Sequence, residues 1–197
     1  MAENSVAVDK DIEHSELEIS GLHLFRSKQR TDRRGFVQAV YNGALMTSLD
    51  FDLRQENHCW SEKRGTVRGF HYQLPPFGQS KLIRITRGRI LDVNVDLRKG
   101  SPTFGQHAKA ELVPNGWNQI FVPVGFAHCY QTLEDDTEVI FKLGAPFAPD
   151  YARGLAWNDS DLGIEWPIGE SAVTVLQRDL DRPHFSDVQE YFDYRSA

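Results

Sequence analysis

Apolar and polar residues alternate along much of the chain with the period of a β-strand. The clearest stretch is residues 81–97, whose second half separates into an apolar and a polar face. Leu91, Val93, Val95 and Leu97 fall on one face, and Asp92, Asn94 and Asp96 fall on the other. This alternation predicts a half-buried strand, and Arg87-Gly88-Arg89 before it predicts a hairpin turn.

Many other short segments have the same character. Strands are predicted over residues 22–25, 36–40, 54–60, 67–73, 105–112, 118–122, 128–133 and 138–143. Pro- and Gly-rich breaks separate several of them, as at Pro75-Pro76-Phe77-Gly78. Short, evenly spaced strands of this kind indicate an all-β protein: a sandwich, a jelly roll or a barrel.

The length of 197 residues fits one domain with decorated ends. Residues 1–15 are polar and without period, so we expect a flexible N-terminal arm followed by a single domain over residues 16–197. Helix is expected only near the ends of the chain. One predicted helix covers residues 43–49, and the other covers residues 187–194 after a Ser186 cap.

Composition narrows the classes of function. The net charge of −6 argues against broad nucleic-acid binding, so an anionic substrate would need a local basic pocket. The sequence shows neither a membrane-length apolar run nor a signal pattern, which predicts a cytoplasmic protein. Cys59 and Cys129 lack CxxC spacing and are expected to be buried thiols in a reducing compartment.

Three polar clusters fall where a strand would normally carry apolar residues. They are residues 68–73 (RGFHYQ), 79–81 (QSK) and 125–128 (GFAH). A lone histidine in a strand is more often a satisfied core group, and a lone lysine more often protects a sheet edge. Polar groups inside a small barrel are costly unless they are paired or used, so convergence of all three clusters predicts a cationic pocket.

Metal binding is the obvious alternative for histidines in a jelly roll. A metal-binding cupin carries two histidines one residue apart, then a glutamate, then a third histidine. Here Tyr72 and Gln73 follow His71, and the glutamate is missing. The ligand set is therefore incomplete, and we expect neither a metal nor another cofactor.

Three long runs resemble the dTDP-4-dehydrorhamnose 3,5-epimerase family. They are residues 68–106, 119–142 and 151–167, which follow one another in the family's order. The resemblance implies a cupin-type jelly-roll β-barrel and a homodimer. It also implies metal-free epimerisation of a nucleotide-linked 4-keto-6-deoxyhexose in deoxysugar biosynthesis.

The resemblance also implies catalytic roles for four residues. His71 matches the base, and Asp179, four residues before Pro183, matches the aspartate that orients it. Lys81 and His128 match the groups expected to face the enolate oxygen. These residue types suit the chemistry, because imidazole is a good base near neutral pH and a positive charge stabilises an enolate.

Further matches imply a binding site for the nucleotide diphosphate. Arg68 matches an arginine facing the diphosphate, and Arg34 matches an arginine near the nucleotide. Gln55 and Asn57 fall on polar pocket positions. Guanidinium groups suit diphosphates because their donors match its oxygens.

The chain departs from the family pattern at two places. Phe141 stands where the family has a tyrosine that protonates the opposite face of the sugar, so we expect incomplete inversion or inversion at one carbon only. Water or Tyr130 could deliver the proton instead. The second departure, Ala145-Pro146-Phe147, replaces adjacent tyrosines near the nucleotide base.

These departures leave alternatives open. One is a single-carbon epimerase, acting at carbon 3 or carbon 5 of a CDP-, GDP- or dTDP-linked keto-deoxysugar. Another is a catalytically weak sugar-nucleotide binding protein on the same scaffold, and a third is a generic cupin sugar-binding module. His71 together with Asp179 favours an enzyme, because a binding module needs no base with its own carboxylate.

Overall fold

The computed structural model describes residues 11–194, which form fifteen strands and two short α-helices. The first half contains β1 (Ile12–Glu16), β2 (His23–Ser27), β3 (Gln29–Asp32), β4 (Gly35–Gln38), α1 (Gly43–Ser48), β5 (Gln55–Ser61), β6 (Val67–Gln73), β7 (Lys81–Arg87) and β8 (Ile90–Asp96). The second half contains β9 (Arg98–Lys99), β10 (His107–Leu112), β11 (Gln119–Val122), β12 (Phe126–Thr132), β13 (Thr137–Leu143), β14 (Ala152–Gly154), α2 (Gln177–Leu180) and β15 (Phe192–Asp193). No helix within this part of the chain is long and apolar enough to cross a membrane.

Two antiparallel sheets form the barrel. The six-stranded sheet has the order β1-β2-β11-β7-β13-β5, and the five-stranded sheet has the order β10-β8-β12-β6-β14. Side chains from both sheets, such as Ile83 of β7 and Tyr130 of β12, pack in one apolar cluster between them. The predicted all-β, cupin-type jelly roll is therefore confirmed.

The turn at residues 87–89 is not the predicted hairpin. β7 and β8 belong to different sheets, so this turn carries the chain from one wall of the barrel to the other. The polar face of β8 is also not exposed to water, because Asp92, Asn94 and Asp96 are all fully buried. The outward apolar face is covered as well, so β8 is buried on both sides.

The helix predicted over residues 187–194 is wrong. Residues Phe185–Asp187 form a single 3-10 turn, and Phe192–Asp193 forms β15, which pairs with β9. Tertiary packing overrides the local pattern, because Val188 and Phe192 are buried in the cluster beneath the five-stranded sheet. The helix predicted over residues 43–49 is present as α1.

The domain includes residues before position 16, where the sequence analysis placed its start. Residues 1–10 lie outside the described part of the chain. Ile12–Glu16 forms β1, which pairs with β2 at the edge of the six-stranded sheet. Ile12 is buried, so residues 12–15 belong to the domain.

Both outer faces of the barrel are covered. The six-stranded sheet buries Leu82 and Phe121 against Leu45 and Met46 of α1. The five-stranded sheet is covered by the C-terminal segment, residues 155–192, whose apolar side chains pack on Val93, Val95 and neighbouring residues. This covering places the C-terminal segment beside one end of the lumen, where the site is formed.

A β-bulge in β6 aligns two of the predicted site residues. His128 is opposite His71 and Tyr130 is opposite Arg68, so Gly69 and Phe70 together face Cys129 alone. Without the extra residue, Arg68 and His71 would point to opposite faces, since side chains alternate along a strand. With the bulge, both line the lumen.

Only glycine fits at position 69. Its φ is +131°, and an added Cβ would lie 2.5 Å from the His128 carbonyl oxygen and 2.6 Å from Cys129 Cα. We expect Gly69→Ala to destabilise the fold by about 1–3 kcal/mol, because the extra atom forces the two strands apart. We also expect it to reduce activity more than stability alone explains, because Arg68 and His71 lose their alignment.

Thermal melting and steady-state rates of the folded protein test this prediction. Gly169→Ala is the matched control, because a Cβ there meets nothing within 4 Å. If Gly69→Ala had the stability and activity of the parent, the bulge would not set the alignment.

Candidate active site

A cavity of about 580 Å³ opens between the two sheets at one end of the barrel. Its walls come from β5, β6, β7, β12 and β13, and the C-terminal segment closes one side. The predicted residues Arg68, His71, Lys81, His128 and Asp179 all line it, together with Asn57 and Phe141. The structure thus brings together most of the groups that the sequence singled out.

His71 and Asp179 form a hydrogen-bonded pair at the cavity wall. His71 Nε2 lies 2.8 Å from Asp179 Oδ1, although 108 residues separate them in the chain. The side chain of His71 is 37% exposed to the cavity, whereas that of Asp179 is 2% exposed. A half-open imidazole with a buried carboxylate behind it is the arrangement of a general base with an orienting group.

The surroundings keep Asp179 ionised. Burial by itself would raise the pKa of this carboxyl group. The hydrogen bond and charge of His71, with the charges of Arg178 and Arg182, outweigh burial and hold the pKa of Asp179 below its usual value. A charged carboxylate accepts a hydrogen bond from the histidine and so influences which ring nitrogen carries the proton.

A second histidine–carboxylate pair lies deeper in the lumen. His128 Nε2 is 2.7 Å from Asp92 Oδ2, and Asn94 Nδ2 donates to Asp92 Oδ1 at 2.7 Å. Burial lowers the pKa of His128, although Asp92 opposes the shift. Sequence analysis missed Asp92 as a site residue, and its signal was the polar face of β8.

Lys81 contributes a buried cation. Its Nζ donates to the His71 carbonyl oxygen at 2.8 Å. Burial lowers the pKa of Lys81 to about 8, and the negative charge of Asp92 opposes that shift. The ammonium group is therefore mostly charged at neutral pH, and it lies against the backbone of His71.

Arginine side chains make one part of the cavity cationic in an acidic protein. Arg68 donates to Trp60 O and to Ser61 Oγ, which fixes its position on the wall. Arg182 also lines the cavity, and its buried Nε has no hydrogen-bond partner among the described residues. Sequence analysis missed Arg178 and Arg182, which flank Asp179 on the C-terminal segment. A cationic wall of this kind suits a diphosphate.

Two predicted binding residues lie outside the cavity lining. Arg34 sits on the β3–β4 hairpin, its side chain is 80% exposed, and it pairs with Asp32 at 2.6 Å. Gln55 supports the rim instead, because its Nε2 donates to Asn57 Oδ1 and its Oε1 accepts from Phe147 N, both at 2.9 Å. Within a single chain, Arg34 does not reach the site.

Phe141 lies on the wall formed by the six-stranded sheet, across from the sheet that carries His71. Its ring centroid is 5.9 Å from that of Tyr130 and 5.9 Å from that of His128. The position therefore faces the lumen, but its phenyl ring has no proton to give. Among residues 11–194, no group of three or more His, Cys, Asp or Glu side chains is placed to hold a metal ion.

A jelly-roll barrel with a hydrogen-bonded histidine–aspartate pair and a buried lysine in a cationic cavity fits a nucleotide-sugar epimerase. The family model for dTDP-4-dehydrorhamnose 3,5-epimerase matches residues 16–187. The chain belongs to this family, and it is an epimerase, a type of isomerase.

Relatives extend over nearly the whole chain. The dTDP-4-dehydrorhamnose 3,5-epimerase of Sinorhizobium fredii is 39% identical over 180 residues, covering 90% of this chain and 92% of the relative. A crystal structure of dTDP-6-deoxy-D-glucose-3,5-epimerase from Legionella pneumophila, in complex with dTDP-4-keto-L-rhamnose, matches with a TM-score of 0.88 and 28% identity. That match covers 94% of this chain and all of the other.

A relative with narrower activity also matches. The structure of a 3'-monoepimerase from Streptomyces bikiniensis, in complex with dTDP-quinovose, has a TM-score of 0.78 and 30% identity and covers 86% of each chain. The same fold therefore occurs in a 3,5-epimerase and in a 3'-monoepimerase.

The buried lysine leads to a pH prediction. A lysine is charged below its pKa, so the ammonium of Lys81 is lost as the pH rises through about 8. We expect kcat/KM to fall over that range, because this parameter reports groups of the free enzyme. Lys81→Gln should lower the rate by about 100-fold and remove this alkaline limb. An unchanged limb in Lys81→Gln would assign it to another group.

Proposed function

We propose that this enzyme epimerises a dTDP-linked 4-keto-6-deoxyhexose of the dehydrorhamnose type by proton transfer at the carbons beside the ketone. The observation that carries the proposal is the His71–Asp179 pair at 2.8 Å inside a cationic cavity. The solved relatives bind dTDP-4-keto-L-rhamnose and dTDP-quinovose, which supports the same class of substrate here.

The first step is removal of a proton by His71. The C–H bonds at carbons 3 and 5 are acidic because the ketone at carbon 4 accepts the electron pair as an enolate. His71 takes the proton on its free ring nitrogen, since Nε2 faces Asp179. The buried carboxylate then stabilises the imidazolium that forms.

Lys81 stabilises the enolate in this proposal. Its ammonium group is buried and held against the His71 backbone, so it needs little rearrangement when negative charge develops on the oxygen. His128 assists by holding Asp92, whose charge offsets part of the cost of burying the lysine. Asp92 thus acts on the reaction through its neighbours.

The diphosphate lies against the arginine wall in this proposal. Arg68 is anchored by Trp60 and Ser61, and Arg182 lines the same cavity. Asn57 and Phe147, which line the cavity next to Gln55, are placed to contact the nucleoside. The sugar then sits deeper, between His71 and Phe141.

Phe141 favours a second candidate activity, epimerisation at carbon 3 or carbon 5 alone. Inversion needs a proton donor on the face opposite the base, and the phenyl ring supplies none. The match to a 3'-monoepimerase supports this alternative. A CDP- or GDP-linked sugar belongs to the same alternative, since residues 145–147 lack tyrosine.

We propose that the active form is a homodimer in which Arg34 serves the partner's cavity. The β3–β4 hairpin exposes Phe36 and Val37, which are 59% and 71% accessible in the single chain. Exposed apolar side chains on a protruding hairpin are typical of a protein contact. A second copy of the chain would cover these two side chains. The same contact would bring Arg34 to the partner's cavity, because it does not reach the cavity of its own chain.

We propose a cytoplasmic setting on the evidence of the cysteines. Cys59 and Cys129 are both free, and Cys59 is partly accessible from the cavity. An accessible thiol is better preserved in a reducing compartment.

His71→Ala should abolish solvent deuterium exchange at every carbon of the substrate, because the base is lost. Nucleotide-sugar binding should stay within a few-fold of the parent, since the arginine wall is intact. Asp179→Asn should also be strongly impaired, because the tautomer and the imidazolium lose their support. Mass and NMR analysis of sugar incubated in heavy water measures both. Exchange retained in His71→Ala would remove His71 from the mechanism.

Mixing two inactive variants tests the homodimer. Arg34→Ala and His71→Ala should each be weak alone. Mixed subunits should regain about a quarter of the parent rate, because half of the random dimers are heterodimers with one intact site of two. No gain in a mixture shown to exchange subunits would contradict a shared site, and a monomer in solution would contradict the dimer.

A further inference from the structure

The wall across from His71 carries no phenol of its own. Phe141 occupies the position on β13 that faces the lumen opposite the base. Cys59, Ser61 and Asn57 on β5 complete that wall. Ser61 Oγ already accepts from Arg68, and a hydroxyl or amide of this kind is a weak acid. The remaining sources of the proton for inversion are the Cys59 thiol, water, and a group that reaches this wall from the other sheet.

Tyr130 reaches it from the sheet that carries the base. It lies on β12, two residues from His128, and its ring packs against Phe141 of the other sheet with centroids 5.9 Å apart. Its hydroxyl lies near Ser61 of β5. The side chain thus spans the lumen, with its polar end at the wall opposite His71.

The hydroxyl group of Tyr130 is buried at the edge of the cavity, near Ser61. Tyr130 is 1% exposed and lines the cavity, and no described group forms a hydrogen bond of ordinary geometry with its oxygen. A buried hydroxyl without a partner costs free energy, so a structural role alone does not account for it. Tyr72, the other tyrosine at the cavity, instead packs its ring on Phe192 in the outer layer.

We infer that Tyr130 is the acid that protonates the sugar on the face opposite His71, taking the role that Phe141 cannot perform. This inference rests on the proposed epimerase function. It assigns the far-face proton to a side chain that comes from a different strand, in the other sheet, from the position where a phenol was expected.

The proposed proton transfers balance with His71, Tyr130 and solvent. His71 removes the C–H proton and the electron pair passes to the ketone oxygen. The enolate pair then forms a new C–H bond with the Tyr130 proton, breaking the O–H bond and leaving a phenolate. Solvent finally protonates the phenolate and accepts the proton from His71.

Two surroundings act on the hydroxyl in opposite directions. Burial raises the pKa of Tyr130, which weakens it as an acid, and the charge of Arg68 opposes that shift. Arg68 can therefore stabilise the phenolate when it forms. The same arginine faces the diphosphate in the proposed complex, which links substrate binding to the acid.

The test compares inversion with exchange in Tyr130→Phe. The parent and the variant are incubated with dTDP-4-keto-L-rhamnose in heavy water, and deuterium and configuration are determined at carbons 3 and 5. Exchange by His71 should persist within a few-fold. Inversion should fall by about 100- to 10,000-fold at the carbon that Tyr130 serves.

The ratio of inversion to exchange does not depend on how much protein folds, and melting temperature with dTDP binding provides a further check. Tyr191→Phe is the matched control, because its hydroxyl donates to Phe185 O in the outer layer, away from the cavity. This variant should keep the parent ratio. Adding Phe141→Tyr to Tyr130→Phe should restore inversion by returning a phenol to the far wall.

The outcomes separate the two proposals. An unchanged ratio in Tyr130→Phe would overturn the role of Tyr130 and leave the epimerase function intact. Exchange without any inversion in the parent would also overturn it, since no acid would then act. If the parent exchanged no proton of any dTDP-, CDP- or GDP-linked 4-keto sugar, the proposed function itself would fail.

Discussion

The contact between Asp179 and His71 is the constraint on which the rest of the site depends. Asp179 is 2% exposed and lies on α2, a helix of four residues. Asp179 is the buried residue of this helix, so apolar side chains of α2 do not anchor it in the lumen. Burying a carboxylate is costly unless it is paired and hydrogen-bonded. His71, with support from Arg178 and Arg182, offsets that cost, and the whole C-terminal segment must pack correctly to deliver the carboxylate.

The segment that covers the five-stranded sheet also brings Asp179 to His71. Residues 155–192 bury the outer face of the sheet, and the backbone of Thr174 pairs with residues 65–67 at the start of β6. The chain then turns through α2 directly beside the strand that carries His71. A layer that stabilises the fold therefore also positions Asp179 against His71, the base in the proposed mechanism.

The lumen shows the same coupling between burial and chemistry. Asp92, His128 and Lys81 are all buried, and each relies on another for its charge or its hydrogen bond. Replacing such groups with apolar residues would be easier for folding alone. Lys81 and His128 line the same cavity as His71, which supports a role for these buried groups in the proposed reaction.

Sequence reasoning was strongest where a pattern is local. The period of two predicted most strands, and the long runs around His71 and Lys81 identified the family. Alternation cannot tell which face of a strand points to a lumen, so the polar face of β8 was not recognised as part of the site. The turn at residues 87–89 was misassigned for the same reason, since a turn between sheets and a hairpin look alike in sequence.

The remaining gaps concern residues placed by distant contacts. Arg178 and Arg182 have no periodic signal and reach the cavity only because the C-terminal segment folds back. The segment after Ser186 has a helical appearance, but burial of Phe192 decides its conformation. Arg34 was assigned to the site by resemblance, and the single chain leaves it exposed on a hairpin.

The state of the His71 ring tests the central claim most directly. Nitrogen NMR of the protein labelled at histidine, with the His71 signal assigned through His71→Ala, reports which ring nitrogen carries the proton. We expect the neutral ring to be protonated at Nε2, the atom 2.8 Å from Asp179, and to lose this preference in Asp179→Asn. A ring protonated at Nδ1 in the parent, or a tautomer unaffected by Asp179→Asn, would contradict the account.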